Sequence, residues 1–441
     1  MVGRMGGGAK GTPIRSSKPP PATRASSVTW RLIRPQTKSP PFRTHARPSV
    51  SRPPAPALTA AFPTSHPPID PGCVGKEVYL DDLTATRNEA VFAPPAFVTS
   101  WLKRNLNDER DMEIAVLLFN IAVTMWPAAV LLFNYPSHIL GACYFAVFNA
   151  VFMQRFILAM HYSTHRRLFK PGTWAGETLN KLNICLYAPM FGIPCNTYRL
   201  HHIVMHHVDN NQWNKDLSAT EAYQRDNVLH WVCYWVRFMA GSWVELPYYS
   251  FKKRRWDLFA GCSGGFALTL ASWYGAWVYG SPAFATWTCF VPFVAVSTAL
   301  MFGNWSQHAF VCPVNPRCNY RLTYAVLNHP DNQKSYNDGF HTLHHANSMT
   351  HWSEFPTTFV QKLDEHARRD ALVFNGIGFF HVGFALFTRN HGYLADHYVN
   401  VGQPKRTREE LIALMKERLA PMSTWRNKDE FPESKKATKA A

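Results

Sequence analysis

Acidic residues are absent from the first 69 positions of this 441-residue chain, which hold eleven Lys or Arg; the first acid is Asp70. The same stretch has no apolar run resembling the h-region of a secretory signal. It is rich in Pro, Ser, Ala and Thr, and such a composition cannot bury enough apolar surface to offset its ordering entropy. An Arg- and Ser-rich, acid-free leader over 1–69 predicts an organelle transit peptide. The abundance of Pro and Ser places the plastid ahead of the mitochondrion. The plainer alternative is a basic arm that binds lipid or nucleic acid. Of the formal charge of +17, the leader's eleven bases leave +6 for residues 70–441. No nucleic-acid module is present there, and the residual excess suits loops facing anionic lipid. Metal-finger spacing is also missing. The nine cysteines fall mostly inside apolar segments (Cys143, Cys185, Cys233, Cys262, Cys289) and read as reduced packing residues.

Long apolar runs are what the chain has in place of these features. Residues 90–112 mix Trp101, Lys103, Arg104 and Arg110 with apolar residues, as an interfacial approach would. Four runs, 114–134, 138–160, 258–280 and 283–303, are long enough to cross a bilayer. Residues 182–198 are broken by Pro189 and Pro194, and 228–250 by Arg237 and Glu245, so both predict interfacial helices. The run 371–388 contains Asn375, two glycines and His381; it predicts a further interfacial helix, with a fifth span as the alternative. Residues 391–441 form a polar tail with a short amphipathic helix over 406–419. The expected architecture over 90–390 is all-α and integral to the membrane, with four transmembrane helices, interfacial helices and a helical cap. Four crossings put every histidine cluster on one face, and Lys and Arg agree, being dense in 166–255 and absent from the two short turns.

Three clusters concentrate the imidazoles. His161 and His165 are four apart, the spacing that shares a helical face. His202 and His206 repeat that spacing, with His207 angled toward a neighbouring site. His341 and His344 are three apart, again on one face, with His345 beside them. These eight donors exceed what a single tetrahedral zinc can use. Two metals of higher coordination number absorb them, and imidazole suits iron. His308, four residues after Asn304 at the mouth of the fourth run, offers a ninth ligand, and Asn304 stands where it can hold a metal-bound water. His201 is surplus and competes with His202 for the ligand role.

A metal-bound imidazole normally donates its other N–H to a carboxylate, carbonyl or water. Asp209, Asp216, Asp338 and Glu354 lie beside the clusters as candidates, Asp338 first because it precedes His341 by three. Each is also a plain turn former, and Asn337-Asp338-Gly339 has turn chemistry.

The three clusters, His161-Tyr-Ser-Thr-His165, His202-Ile-Val-Met-His206-His207 and His341-Thr-Leu-His344-His345, resemble the histidine boxes of the membrane fatty-acid desaturases. The Asn304…His308 pair is similar to the extra ligand element of acyl-CoA desaturases. The resemblance covers roughly 110–390. It implies a four-helix membrane enzyme whose cap holds two iron ions. Dioxygen and two electrons would then convert an acyl chain, on a lipid or another acyl carrier, to one with a new double bond. No His-Pro-Gly-Gly signature of a fused haem domain is present, so the resemblance implies an external electron donor, ferredoxin in a plastid; the endoplasmic reticulum is the second choice of membrane. Related di-iron hydroxylases or ketolases, acting on a lipid or carotenoid, use similar boxes and stay open here. A non-enzymatic histidine-rich metal-binding protein is the remote alternative.

Overall fold

The structure, a computed structural model, describes residues 80–85 and 91–422, all within the compact unit Pro63–Ala441. The basic leader 1–69 lies outside the described residues.

Among the described residues three helices are long and apolar enough to cross a membrane: Glu109–Asn134, His138–His165 and Pro282–Gln307. They cover three of the four expected spans. The fourth run forms a helix over Trp256–Gly275 that continues through a π turn at Ala276–Gly280. Its Gly, Ser, Trp and Tyr content keeps it out of that set, despite exposed Leu268, Leu270, Trp277 and Val278. The aromatic segment expected at the interface is one helix, Val228–Lys252, begun by Asn227, whose side chain accepts from the backbone N–H of Leu229 and His230. It packs on the following helix through Trp243 and Phe266, with ring centroids 4.5 Å apart.

The fold is not wholly helical. Tyr324–Leu327 (β1) and Leu372–Asn375 (β2) pair in parallel, Tyr324 opposite Leu372 and Leu327 opposite Asn375. Almost every residue of both strands is buried and apolar, the pattern of parallel strands covered on both faces. The expected helix over 371–388 is therefore split. Its first part is β2, the chain turns at Gly376 with φ +73°, and only Phe379–Phe387 is helical, too short to cross a bilayer. Periodicity cannot separate a short buried strand from a buried helix.

The cap is held on the spans by buried aromatics and by one buried cation. Phe148 and Phe156, from the second span, stack on Phe191 at 4.5 and 4.0 Å. Arg225, fully buried, donates to the carbonyls of Thr220, Glu221, Tyr223, Ala309, Arg418 and Ala420. It thereby ties the loop after the second cluster to the residue following His308 and to the end of the helix Arg408–Leu419. That helix starts at the reciprocal cap between Thr407 and Glu410.

Candidate metal centre

His161 and His165 end the second span, on the last turns of an α-helix. Nearby, Leu200–His206 is a π-helix, and that wider turn changes which histidines share a face. His202 and His206 were expected to pair. Instead His202 Nε2 lies 3.1 Å from His207 Nε2, five residues on, and His206 turns to a second group. The third cluster divides as well. His344 joins His161, His165 and His202, whereas His345 joins His206 and His308. The spacing of three between His341 and His344 is therefore not the chelating one; His341 lies nearest His345 and His308, at ring-centroid distances of 4.8 and 5.4 Å.

Seven of the nine clustered imidazoles form two groups with converging nitrogens; His207 adjoins the first through His202 and His344, and His341 stands beside the second. In the first, the Nε2 atoms run His161–His344 at 2.8 Å, His344–His207 at 3.0 Å, His207–His202 at 3.1 Å and His202–His165 at 2.9 Å. Hydrogen bonding alone cannot satisfy this row. A neutral imidazole Nε2 carries one proton or one lone pair, so an inner member cannot serve two neighbours. Nitrogens about 2.1 Å from one metal ion are separated by about 3.0 Å along an octahedral edge and about 3.4 Å along a tetrahedral one. The observed separations suit the higher coordination number. In the second group the ring nitrogens of His206, His308 and His345 lie within 4.8 Å of one another, all three side chains buried. Both nitrogens of His308, Nε2 of His341 and Nε2 of His345 are buried without a hydrogen-bond partner. Buried polar atoms are rarely left so, and a cation would satisfy them. Burial, reinforced by the neighbouring imidazoles, holds His202, His207, His308, His344 and His345 well below the ordinary imidazole value. That shift favours the neutral ring, the form that ligates a metal.

Two of the four candidate carboxylates touch these rings. Asp216 Oδ2 is 2.7 Å from His206 Nδ1, and Asp216 Oδ1 accepts from the Ser218 N–H and hydroxyl, each at 2.8 Å. Burial opposes its charge, but His206, His201 and Ser218 outweigh it and hold the carboxyl below its ordinary range. Asp338 Oδ1 lies 3.4 Å from His341 Nδ1 and accepts from the Tyr162 hydroxyl at 3.2 Å; its Oδ2 accepts from Gln307 at 2.5 Å. The other two candidates lie elsewhere: Asp209 accepts from the Tyr249 hydroxyl at 2.8 Å, and Glu354 pairs with Arg110 on the surface. Asn304 donates to the Ser218 carbonyl at 3.1 Å and to the Tyr234 hydroxyl at 2.7 Å, and lines a cavity shared with His161, His202, His206 and His341. His201 belongs to neither group; its ring lies 4.9 Å from Phe238 and 6.2 Å from His206. His202 occupies the place for which the two competed.

Sequence reasoning missed Tyr198, whose hydroxyl is 3.3 Å from His161 Nδ1; a tyrosine three residues before His201 carries no signal of that role. His351, outside the three clusters, is also buried, its ring 3.1 Å from Asp111, which accepts from Trp352 as well.

A cavity of about 290 Å³ opens onto both groups, with His161, His202, His206 and His341 in its wall. Met153, Ile157 and Leu158 of the second span, Leu300 and Met301 of the last, and Phe379 and Phe380 supply its apolar lining. Beyond it lies a smaller chamber of about 50 Å³, walled by Ile193, Phe238, Leu246, Phe266, Phe293 and Val296. Gly192, at φ +71°, closes against the backbone of Phe293, where a Cβ would come within 2.4 Å.

No curated protein sequence matches the chain. The sequence profile of the fatty acid desaturases matches residues 137–376, more than half of the chain and a stretch that contains all nine clustered histidines. With that match, and a helical, membrane-span-bearing chain that gathers its histidines into metal-sized groups, the chain belongs to the fatty acid desaturase family and is by that membership an oxidoreductase.

Proposed function

We propose that this chain is a membrane desaturase that introduces a double bond into the acyl chain of a lipid, consuming dioxygen and two electrons at a di-iron centre. The overall change takes CH2–CH2 with O2, two electrons and two protons to CH=CH and two waters. The observation that carries the reading is the opening of an apolar-walled cavity onto two groups of buried or part-buried imidazoles. His161, His165, His202, His207 and His344 would hold one iron, and His206, His308, His341 and His345 the other. Asn304, beside the second group, would hold a water there. When bound, the irons supply the oxidising power that an unactivated C–H bond demands. The protein's own part is positioning: Ile157, Leu300 and Phe379 keep the chain dry and extended past the histidines.

The lining of the cavity supports a lipid carrier. Among the described residues it contains Asp331 and Asp338 and neither Lys nor Arg. A coenzyme A thioester, with several phosphate charges, is normally met by such cations. The helix over 256–280 completes four crossings in this reading, with Lys252, Lys253, Arg254 and Arg255 at its near end. Electrons come from a separate carrier, ferredoxin if the membrane is that of a plastid.

The test is expression in a heterologous host, with lipid profiling by mass spectrometry and iron analysis of the purified protein. A new double bond and about two irons per chain are expected, the latter from the size of the donor set. An oxygenated product with unchanged unsaturation would make the protein a hydroxylase or ketolase, and zinc without iron would remove the redox chemistry altogether.

A further inference from the structure

His201 is the histidine that neither metal group uses. It is 6% exposed, and its Nε2 is buried without a hydrogen-bond partner. Together with Tyr198 and Leu300 it lines both the cavity at the metal groups and the smaller chamber, so these three side chains stand at the boundary of the two. The other polar groups of the inner chamber are already engaged. The hydroxyls of Thr197, Ser242 and Ser297 donate to the carbonyls of Pro194, Met239 and Val294, and the Tyr198 hydroxyl meets His161. Among the described residues of that chamber, the hydrogen-bonding atom left without a partner belongs to His201.

An unpartnered imidazole nitrogen in an apolar channel is costly, and a protein that keeps one usually meets it with something. In the desaturase reading, on which this inference rests, that something is the acyl chain. The small apolar chamber takes the methyl end, and the wider cavity, with Asp331 and Ser335, takes the carrier end. We propose that His201 reads a hydrogen-bonding group already present on the methyl side of the acyl chain, either the π face of an existing double bond or an oxygen function. The preferred substrate is then a chain that is modified before it arrives, and the enzyme acts second in a series. A site built around such a group rejects the chain that lacks it, because the imidazole is then left unpaired. The two sources differ in strength. A π face accepts a weak hydrogen bond, worth a preference of about threefold. A hydroxyl serves Nε2 as donor or acceptor and is worth about tenfold or more.

Affinity of the purified, metal-free full-length chain separates this inference from the activity itself. Vesicles of one glycerolipid are offered with saturated, cis-monounsaturated or hydroxylated chains of equal length, and binding is compared for the wild type, His201→Leu and His201→Gln. The wild type is expected to favour one modified chain over the saturated chain by the factor above. His201→Leu brings that ratio close to one, and His201→Gln, which keeps a donor and an acceptor, retains part of it. Equal affinity for all three chains in the wild type, or an unchanged ratio in His201→Leu, overturns the inference. A binding preference that survives while the iron-loaded enzyme makes no double bond from any of the chains would overturn the desaturase reading and leave the His201 assignment standing.

Discussion

In the second histidine group His206 and His341 each have a carboxylate near Nδ1, Asp216 at 2.7 Å and Asp338 at 3.4 Å. In the first group His161 is backed by the phenol of Tyr198 at 3.3 Å instead. Exposure divides the groups in the same way. His206, His308, His341 and His345 are all buried, whereas His165 and His207 are part-exposed and Val208, next to His207, is 66% exposed. A carboxylate behind an imidazole raises its basicity and offsets the charge of the metal it holds. With metal bound, the second group would bear the greater positive charge in the drier place. The first is built to meet the surface, and we expect electrons to arrive there, through His165 or His207. Two ions of one element would not be equivalent in such a frame.

Removing a ligand breaks the comparison outright and has the largest expected effect. His206→Ala and His344→Ala should each abolish desaturation, and iron content should fall from about two to about one per chain, because a vacated site binds its metal poorly. Retained activity with both irons would mean that the ring is not a ligand. Altering the supports comes next and separates the groups. Asp216→Asn should lower activity or iron affinity by about 10- to 100-fold, the usual cost of a lost partner behind a ligand. Tyr198→Phe should cost only a few-fold, since it removes a neutral and longer contact. Equal losses in the two variants would show that the carboxylate confers no special role on the second group.

The histidines that gather in the structure were legible from the sequence, and their partition into two groups was not. Spacing placed His161 and His165 on one face because their helix is α to its end. The same rule paired His202 with His206, which end in different groups. The stretch Leu200–His206 is a π-helix, and nothing in its side chains announces that the turn is wide. A wide turn brings residues five apart together, so His202 meets His207. The two-stranded sheet escaped for a related reason. Tyr324–Leu327 and Leu372–Asn375 are four residues each and buried at all but Asn375, too short for either period to declare itself. Arg225 was passed over because six carbonyls from three parts of the chain meet it only after folding.

The smallest expected effect tests whether nearness in sequence to a histidine cluster matters at all. Glu354 stands nine residues after His345, as a candidate partner for a ligand, yet it pairs with Arg110 at 2.5 Å with both side chains nearly half-exposed. Exposed ion pairs of this kind contribute about 0–1 kcal/mol, because water screens the charges and ordering two long side chains costs entropy. Arg110 also keeps Asp108, at 2.7 Å, so the loss of Glu354 leaves it partnered. Glu354→Gln should therefore leave turnover and iron content within about twofold of the wild type and shift thermal stability only slightly. Asp338, also on the chain segment between the last span and β2, is buried and bonded to Tyr162, Gln307 and His341; Asp338→Asn should fall nearer to Asp216→Asn than to Glu354→Gln. If the two variants at 338 and 354 behaved alike, burial and contact with the ring would not be what makes a carboxylate part of this centre.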